Sequence, residues 1–170
     1  MLDAGVFEGQ RFELIDGDLI DKIGQKPPHM FAIQRFQELF IRLFGSSRVR
    51  VQGPMEAGAA DREKSMPEPD LAVLKEAKDE YQQRHPIGSE MTLVVEVADT
   101  TVRPDLTGKR DLYANAAVQE YWVLDLKNRR LVVHSGLDEL NSRFASIQSY
   151  FEDETLDLAV QTVKVATLLA

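Results

Sequence analysis

The pattern of apolar and polar positions divides the chain into short strands and two helical stretches. RFELIDGDLI is two short apolar runs flanking Asp16-Gly17, a pair that tolerates positive φ and so marks a tight hairpin. After Pro27-Pro28 the period lengthens, and Ile33, Phe36, Leu39/Phe40 and Leu43/Phe44 recur at helical spacing until Gly45. Arg48 to Gln52 alternates as a strand, with Val49 and Val51 on one face. Residues 53–67 are rich in Gly, Ala, Pro and charge and read as a loop or mobile excursion. PDLAVL, from Pro69, is a short strand candidate. MTLVVEVA, from Met91, is apolar at both alternating positions, as in a strand covered on both faces in the middle of a sheet. Asp105 to Ala117 predicts a helix whose Leu106, Tyr113 and Ala117 pack against that sheet. YWVLDL and RLVVHS predict a hairpin around Lys127-Asn128, and the remainder, ending TVKVATLL, offers more strand than helix. These elements make a mixed α/β fold with a central sheet.

Composition narrows the function classes. A length of 170 residues suits one domain, 1–170, and 44% hydrophobic residues suffice for a core. No apolar run approaches the roughly 20 residues that span a bilayer, and the N-terminus lacks the basic-then-apolar order of a signal peptide. The chain has no cysteine, which excludes disulfides, zinc-thiolate sites and thiol nucleophiles and fits a reducing cytoplasm. A formal charge of −8 argues against indiscriminate coating of DNA. The charge is uneven, however. Lys22, Lys26, Arg35, Arg42, Arg48 and Arg50 face the single acid Glu38 within their segment, whereas Asp138, Glu139, Glu152, Asp153, Glu154 and Asp157 crowd the C-terminal third. The basic segment is either a phosphate-contacting face or a solvated helix face. If it steers phosphates, its bases share a face with the acids Asp70 and Glu96.

Glu96 is the most informative single residue. It lies in LVVEVA, among β-branched neighbours, where burying a carboxylate costs several kcal/mol unless it is paired or binds a metal. The plainer reading puts it at a strand end, meeting solvent or an arginine. Asp70 in MPEPD opens another strand, although Asp beside Pro is also ordinary turn chemistry. Two carboxylates at the ends of adjacent strands form an oxygen site suited to Mg²⁺ or Mn²⁺. The three histidines show no metal-ligand spacing, and neither a phosphate-cradling glycine loop nor a nucleophile elbow occurs.

The proline-aspartate strand followed by an acid in an apolar strand resembles the layout of the PD-(D/E)xK nuclease superfamily. The run VVEVADTTVRPDLTGKRDLYANAAVQEYWVLDL is more specific and resembles the Uma family of restriction endonucleases. The similarity continues through ELIDGDLI, the His29 that enters the first helix, and the PEPD strand. It implies a restriction-endonuclease-like fold, with a central mixed sheet flanked by helices, and Mg²⁺- or Mn²⁺-dependent hydrolysis of phosphodiesters in DNA. Cutting two strands commonly takes two copies, which points to a homodimer. Asp70 and Glu96 would hold the ion, with the Val97 carbonyl as a third ligand. Where the superfamily motif expects lysine, two residues after the acid, this chain has Ala98. The Uma family resembles those branches whose lysine has moved to the following helix, which points to Lys109 as the cation that offsets charge in the transition state. Arg110 is its neighbour but points roughly 100° away round a helix. Glu13, Gln52 and His29 are accessory candidates, Glu13 being otherwise a surface acid of its hairpin. Asp99 and Asp105 flank the site, and Asp105 equally suits a helix N-terminus. A non-catalytic interaction module on the same fold is the alternative, with nucleases of RNA or of branched DNA a third class.

Overall fold

The computed structural model describes residues 12–21, 26–99 and 104–169. Its centre is a six-stranded sheet of order β3-β4-β5-β6-β7-β8, with β3 Val49–Val51, β4 Leu71–Leu74, β5 Met91–Ala98, β6 Glu120–Asp125, β7 Arg130–Asp138 and β8 Arg143–Phe151. Every neighbouring pair is antiparallel except β5 and β6. That parallel pair requires a crossover, which the predicted second helix supplies. The mixed sheet with few helices agrees with the expected fold class.

Helix α1 (Pro27–Phe44) starts on Pro27-Pro28, whose missing amides cost nothing in a first turn, and ends at Gly45, φ 82°, whose N–H donates to the Ile41 carbonyl. Its Ala32, Ile33, Phe36, Leu39 and Phe40 cover one face of the sheet, against Leu71, Val73, Leu93, Val95, Val97 and Trp122. The opposite face, carrying Ala72, Leu74, Val94, Ala98, Tyr121 and Val123, packs under Tyr113 and Ala114. From Leu93 onward strand alternation sorts β5 into an odd-numbered α1 side and an even-numbered crossover side, and Glu96 belongs to the latter.

The first hairpin, β1 (Phe12–Ile15) and β2 (Asp18–Asp21), turns on Asp16 and Gly17, both at positive φ as a two-residue loop needs. Two expectations differ from the structure. Residues 53–67 are irregular but not an excursion. Met66 bonds Leu14 in both directions, the Gly17 N–H donates to the Lys64 carbonyl, the Asp16 N–H to Ser65 Oγ, and Met55 is fully buried. The loop's polar backbone is thus satisfied by the hairpin.

The second helix is also shorter and less regular than its period suggests. It opens with a π-helical turn, Asp105–Lys109, and continues as α2 (Arg110–Asn115). Ala117, expected on its packing face, lies beyond its end at φ 63°. There the Ala117 N–H donates to the Ala114 carbonyl and the Val118 N–H to that of Tyr113, the bonding of a Schellman stop. The C-terminal residues form the hairpin β9 (Thr155–Leu158) and β10 (Gln161–Lys164), as the preference for strand implied. Among the described residues no helix is long and apolar enough to cross a membrane.

Candidate active site

The site gathers on the crossover side of the sheet at the C-terminal end of β5. In the β4/β5 register Leu71 faces Val95 and Ala72 faces Val94, and one further residue sets Asp70 across from Glu96 on the same face. Both carboxylates are buried, at 2% exposure. Asp70 Oδ2 accepts the Val97 N–H at 2.9 Å and lies 3.3 Å from His29 Nε2, at the start of α1. The Gln52 N–H donates to the Asp70 backbone carbonyl at 3.0 Å. Gln52 has φ 51°, so the chain turns sharply where β3 ends, and its buried side-chain Nε2, like His29 Nδ1, has no hydrogen-bond partner among the described residues.

Lys109 is folded inward by the π turn. Its Nζ lies 2.8 Å from Glu13 Oε1, 3.0 Å from Glu96 Oε1 and 3.6 Å from Asp105 Oδ1. Burial alone pulls an ammonium's pKa down, but Glu96, Glu13 and Asp105 together outweigh it and hold Lys109 above its ordinary value. It is therefore a fixed positive charge at any pH the protein meets. The Tyr113 hydroxyl donates to Glu96 Oε1 at 2.7 Å, and the Tyr121 hydroxyl to the Asp105 carbonyl at 3.0 Å. Burial, reinforced by the Glu96 charge, pushes both phenols well above their ordinary pKa, so both remain donors.

The sequence candidates thus converge: Asp70, Glu96, Val97, Lys109, Glu13, His29 and Gln52 all border one buried cluster. Glu13 is not the surface acid its hairpin suggested. It is 3% exposed, bonded to Lys109, and also accepts the Glu68 N–H at 3.3 Å. Asp105 is the acid of the helix's first turn, as its position suggested, and it is buried. Asp99 instead pairs with Lys26 at 2.8 Å.

Three members escaped the sequence reading. Tyr113 was legible only as a packing residue, and Tyr121 and Glu68 carried no pattern of their own. A tyrosine in an apolar run does signal a buried hydroxyl that needs a partner, and Glu68 sits inside the PEPD run.

The expected basic face does not form among the described residues. Arg35 pairs with Glu38 on the exposed side of α1, and Arg42 is exposed on that helix, across the sheet from Glu96. Arg48 donates to the Leu74 carbonyl, at the far end of β4 from Asp70. Arg50 shares the face of Ala72 and Asp70, Lys26 pairs with Asp99 just beyond the end of β5, and Lys22 lies outside the described residues. Helical periodicity scatters these bases because the same segment must present its apolar stripe to the core.

The donor set fits a hard divalent ion. Among the described residues no group of three or more His, Asp or Glu side chains is placed to hold a metal ion. Mg²⁺ is ordinarily held by one or two carboxylates and keeps several waters, so a two-carboxylate site is what it takes. Strand geometry adds a backbone donor. The Ala98 carbonyl accepts Leu126 N–H on the β6 side, whereas Val97 directs its N–H to Asp70, so the Val97 carbonyl also faces the β4 side. Three buried carboxylates share the Lys109 ammonium, an excess of negative charge that a cation would offset.

Comparison with known proteins agrees with this architecture. A crystal structure described as a putative nuclease belonging to DUF820, from Anabaena variabilis ATCC 29413, has the same fold, with a TM-score of 0.72 over 92% of this chain and 88% of that one, at 13% identity. Among curated proteins no sequence matches. The family model Uma2, described as "Putative restriction endonuclease", matches residues 2–164, and the chain belongs to that family.

Proposed function

We propose that this protein is a metal-dependent endonuclease that hydrolyses phosphodiester bonds in DNA. The observation that carries the reading is Asp70 bonded to the Val97 amide, next to Glu96, with Lys109 held 3.0 Å from Glu96. Asp70, Glu96 and the Val97 carbonyl would hold Mg²⁺ or Mn²⁺, which supplies Lewis acidity toward a phosphate oxygen and toward water. The chain's own residues do the rest. The Val97 amide and His29 fix Asp70 in one orientation. Tyr113 and Lys109 fix Glu96, so the pair is ordered before substrate arrives. Lys109 would place a positive charge where negative charge grows on the phosphoryl oxygens, and its burial lets that charge act strongly. Cutting both strands of a duplex calls for two copies, so a homodimer belongs to the proposal.

The charge of −8 and the dispersed bases favour a second reading, a non-catalytic binding module. Retention of Asp70, Glu96 and Lys109 together weighs against it, since a degenerate site would be expected to have lost one of the three. The discriminating experiment is incubation of a mixed DNA panel with the protein and Mg²⁺ or Mn²⁺, beside the Glu96→Gln variant. Metal-dependent cleavage by the wild type and none by the variant supports the enzyme. Metal-independent or absent cleavage with unaltered nucleic-acid binding supports the module.

A further inference from the structure

Arg50 is a cation on the acidic face with no carboxylate at ion-pair distance among the described residues, although the Glu68 charge acts on it. It pairs across from Ala72, so its side chain stands on the same face as Ala72 and, two residues back along the chain, Asp70. Such diagonal neighbours on antiparallel strands have Cβ atoms about 7–8 Å apart, within the reach of an arginine. The guanidinium is half-buried. Its Nη2 donates to the Pro54 carbonyl at 3.2 Å and lies 3.4 Å from His85 Nδ1, while Nε is buried with no partner. Among the described residues its other contacts are with no carboxylate at ion-pair distance, unlike Arg84 with Glu90, Arg130 with Asp125 or Arg143 with Asp138. Desolvation lowers its pKa, and the more distant Glu68 charge opposes this only in part.

The chain is shaped to hold this group. The turn at Gln52 lays Gly53 directly on the guanidinium, and a Cβ at Gly53 would sit 2.3 Å from Arg50 Nε. Only glycine permits that approach, so the sequence RVQGP both supplies the arginine and seats it. A desolvated cation without a counter-ion is unfavourable by itself. A guanidinium fork matches two phosphate oxygens, and an anion seated on it offsets the cost. Lys109, held among three buried carboxylates, is the cation for charge that develops during the reaction, and the grip on the phosphate as it first binds falls to a second cation.

We propose that Arg50, seated by Gly53, binds a backbone phosphate of the nucleic acid beside the Asp70–Glu96 pair. The assignment rests on the endonuclease reading and adds the residue that grips and positions the substrate.

The test measures anisotropy of a short fluorescein-labelled duplex DNA with the full chain and Ca²⁺, across a salt series. Arg50→Gln is expected to weaken binding on the order of tenfold, as loss of a charged hydrogen bond does, and to lower the log–log salt slope by about one. Arg50→Lys keeps the charge, so it should retain the slope and recover part of the affinity. Gly53→Ala displaces the guanidinium without removing it, and should weaken binding while the melting temperature holds. Arg35→Gln, on the exposed side of α1, serves as the control and should change neither quantity beyond the loss of one remote charge. Wild-type binding with unaltered affinity and slope in Arg50→Gln and Gly53→Ala would overturn the Arg50 assignment and leave the endonuclease reading standing. No binding by the wild type would overturn both together.

Discussion

Asp70 Oδ2 accepts the Val97 N–H at 2.9 Å, so a carboxylate just before one strand is fastened to the backbone of the next. Val97 adjoins Glu96, and this one bond therefore sets the spacing of the two acids. The strands do the aligning, through a register that needs only Leu71 opposite Val95. The side chains then need few degrees of freedom to reach a common point, which is how a fold turns two separate sequence motifs into one site.

The Lys109 ammonium is shared by Glu13, Glu96 and Asp105, and its removal should expose how much charge it offsets. Lys109→Met in chelator should lose about 3–5 kcal/mol of stability, the usual cost of leaving buried charge unpaired. Mn²⁺ should then raise the melting temperature of the variant more than that of the wild type. Equal stability in chelator, or an equal Mn²⁺ effect, would show that the acids do not depend on this lysine.

Tyr113 tests the second support of Glu96. Tyr113→Phe removes a 2.7 Å hydrogen bond to a buried carboxylate while keeping the ring that packs 4.8 Å from Tyr121. Urea unfolding should show a loss of about 1.5–3 kcal/mol, the range for hydrogen bonds to charged groups. A change near zero would mean that Glu96 is held by Lys109 alone.

Much of this was legible in the sequence because its causes are local. Asp16-Gly17, the Pro27-Pro28 start and Gly45 stop of α1, and the two-sided apolar run of β5 each act within a few residues, and each element appears where expected. The site residues were legible for a different reason, the family pattern they carry. What escaped depends on contacts between distant segments. Glu13 looked like a hairpin acid because nothing near it in sequence shows that Lys109 will meet it. The loop at 53–67 looked mobile because its bonding partners, Leu14 and Gly17, belong to another segment. The π turn had no periodic signature, and Ala117 occupies a left-handed position that composition would assign to glycine.

Ala117 gives a direct check on that helix end. An alanine at φ 63° carries a steric cost of about 1–2 kcal/mol that glycine lacks, less the greater entropy glycine has when unfolded. Ala117→Gly should stabilise the protein by about 0.5–1 kcal/mol in denaturant titrations. Destabilisation would indicate that the Ala117 methyl contributes packing that outweighs the strain.

His134 should govern stability in mild acid. Its ring is buried, stacked on Tyr121 and near Phe144, with Nδ1 donating to the Tyr121 carbonyl. Desolvation is the largest influence and lowers its pKa, reinforced by Arg110 and opposed by that carbonyl. The unfolded chain gains a proton as pH falls through about 6.5, whereas the folded chain resists it. This contribution to stability is therefore present above that pH and declines below it, by at most about 1.4 kcal/mol per unit. Thermal melts from pH 7.5 to 5 should show the decline, and His134→Gln should flatten it. An identical slope in the variant would assign the acid sensitivity to other groups.

The central claim is that Asp70 and Glu96 hold a divalent ion which Lys109 does not hold. Calorimetric titration with Mn²⁺ of the wild type, Asp70→Asn and Lys109→Met tests it most directly. The expected result is saturable binding by the wild type and by Lys109→Met, and its loss in Asp70→Asn, with DNA cleavage absent from both variants. A wild-type protein that binds no Mn²⁺, or an Asp70→Asn variant that binds it as well as the wild type, would contradict the account.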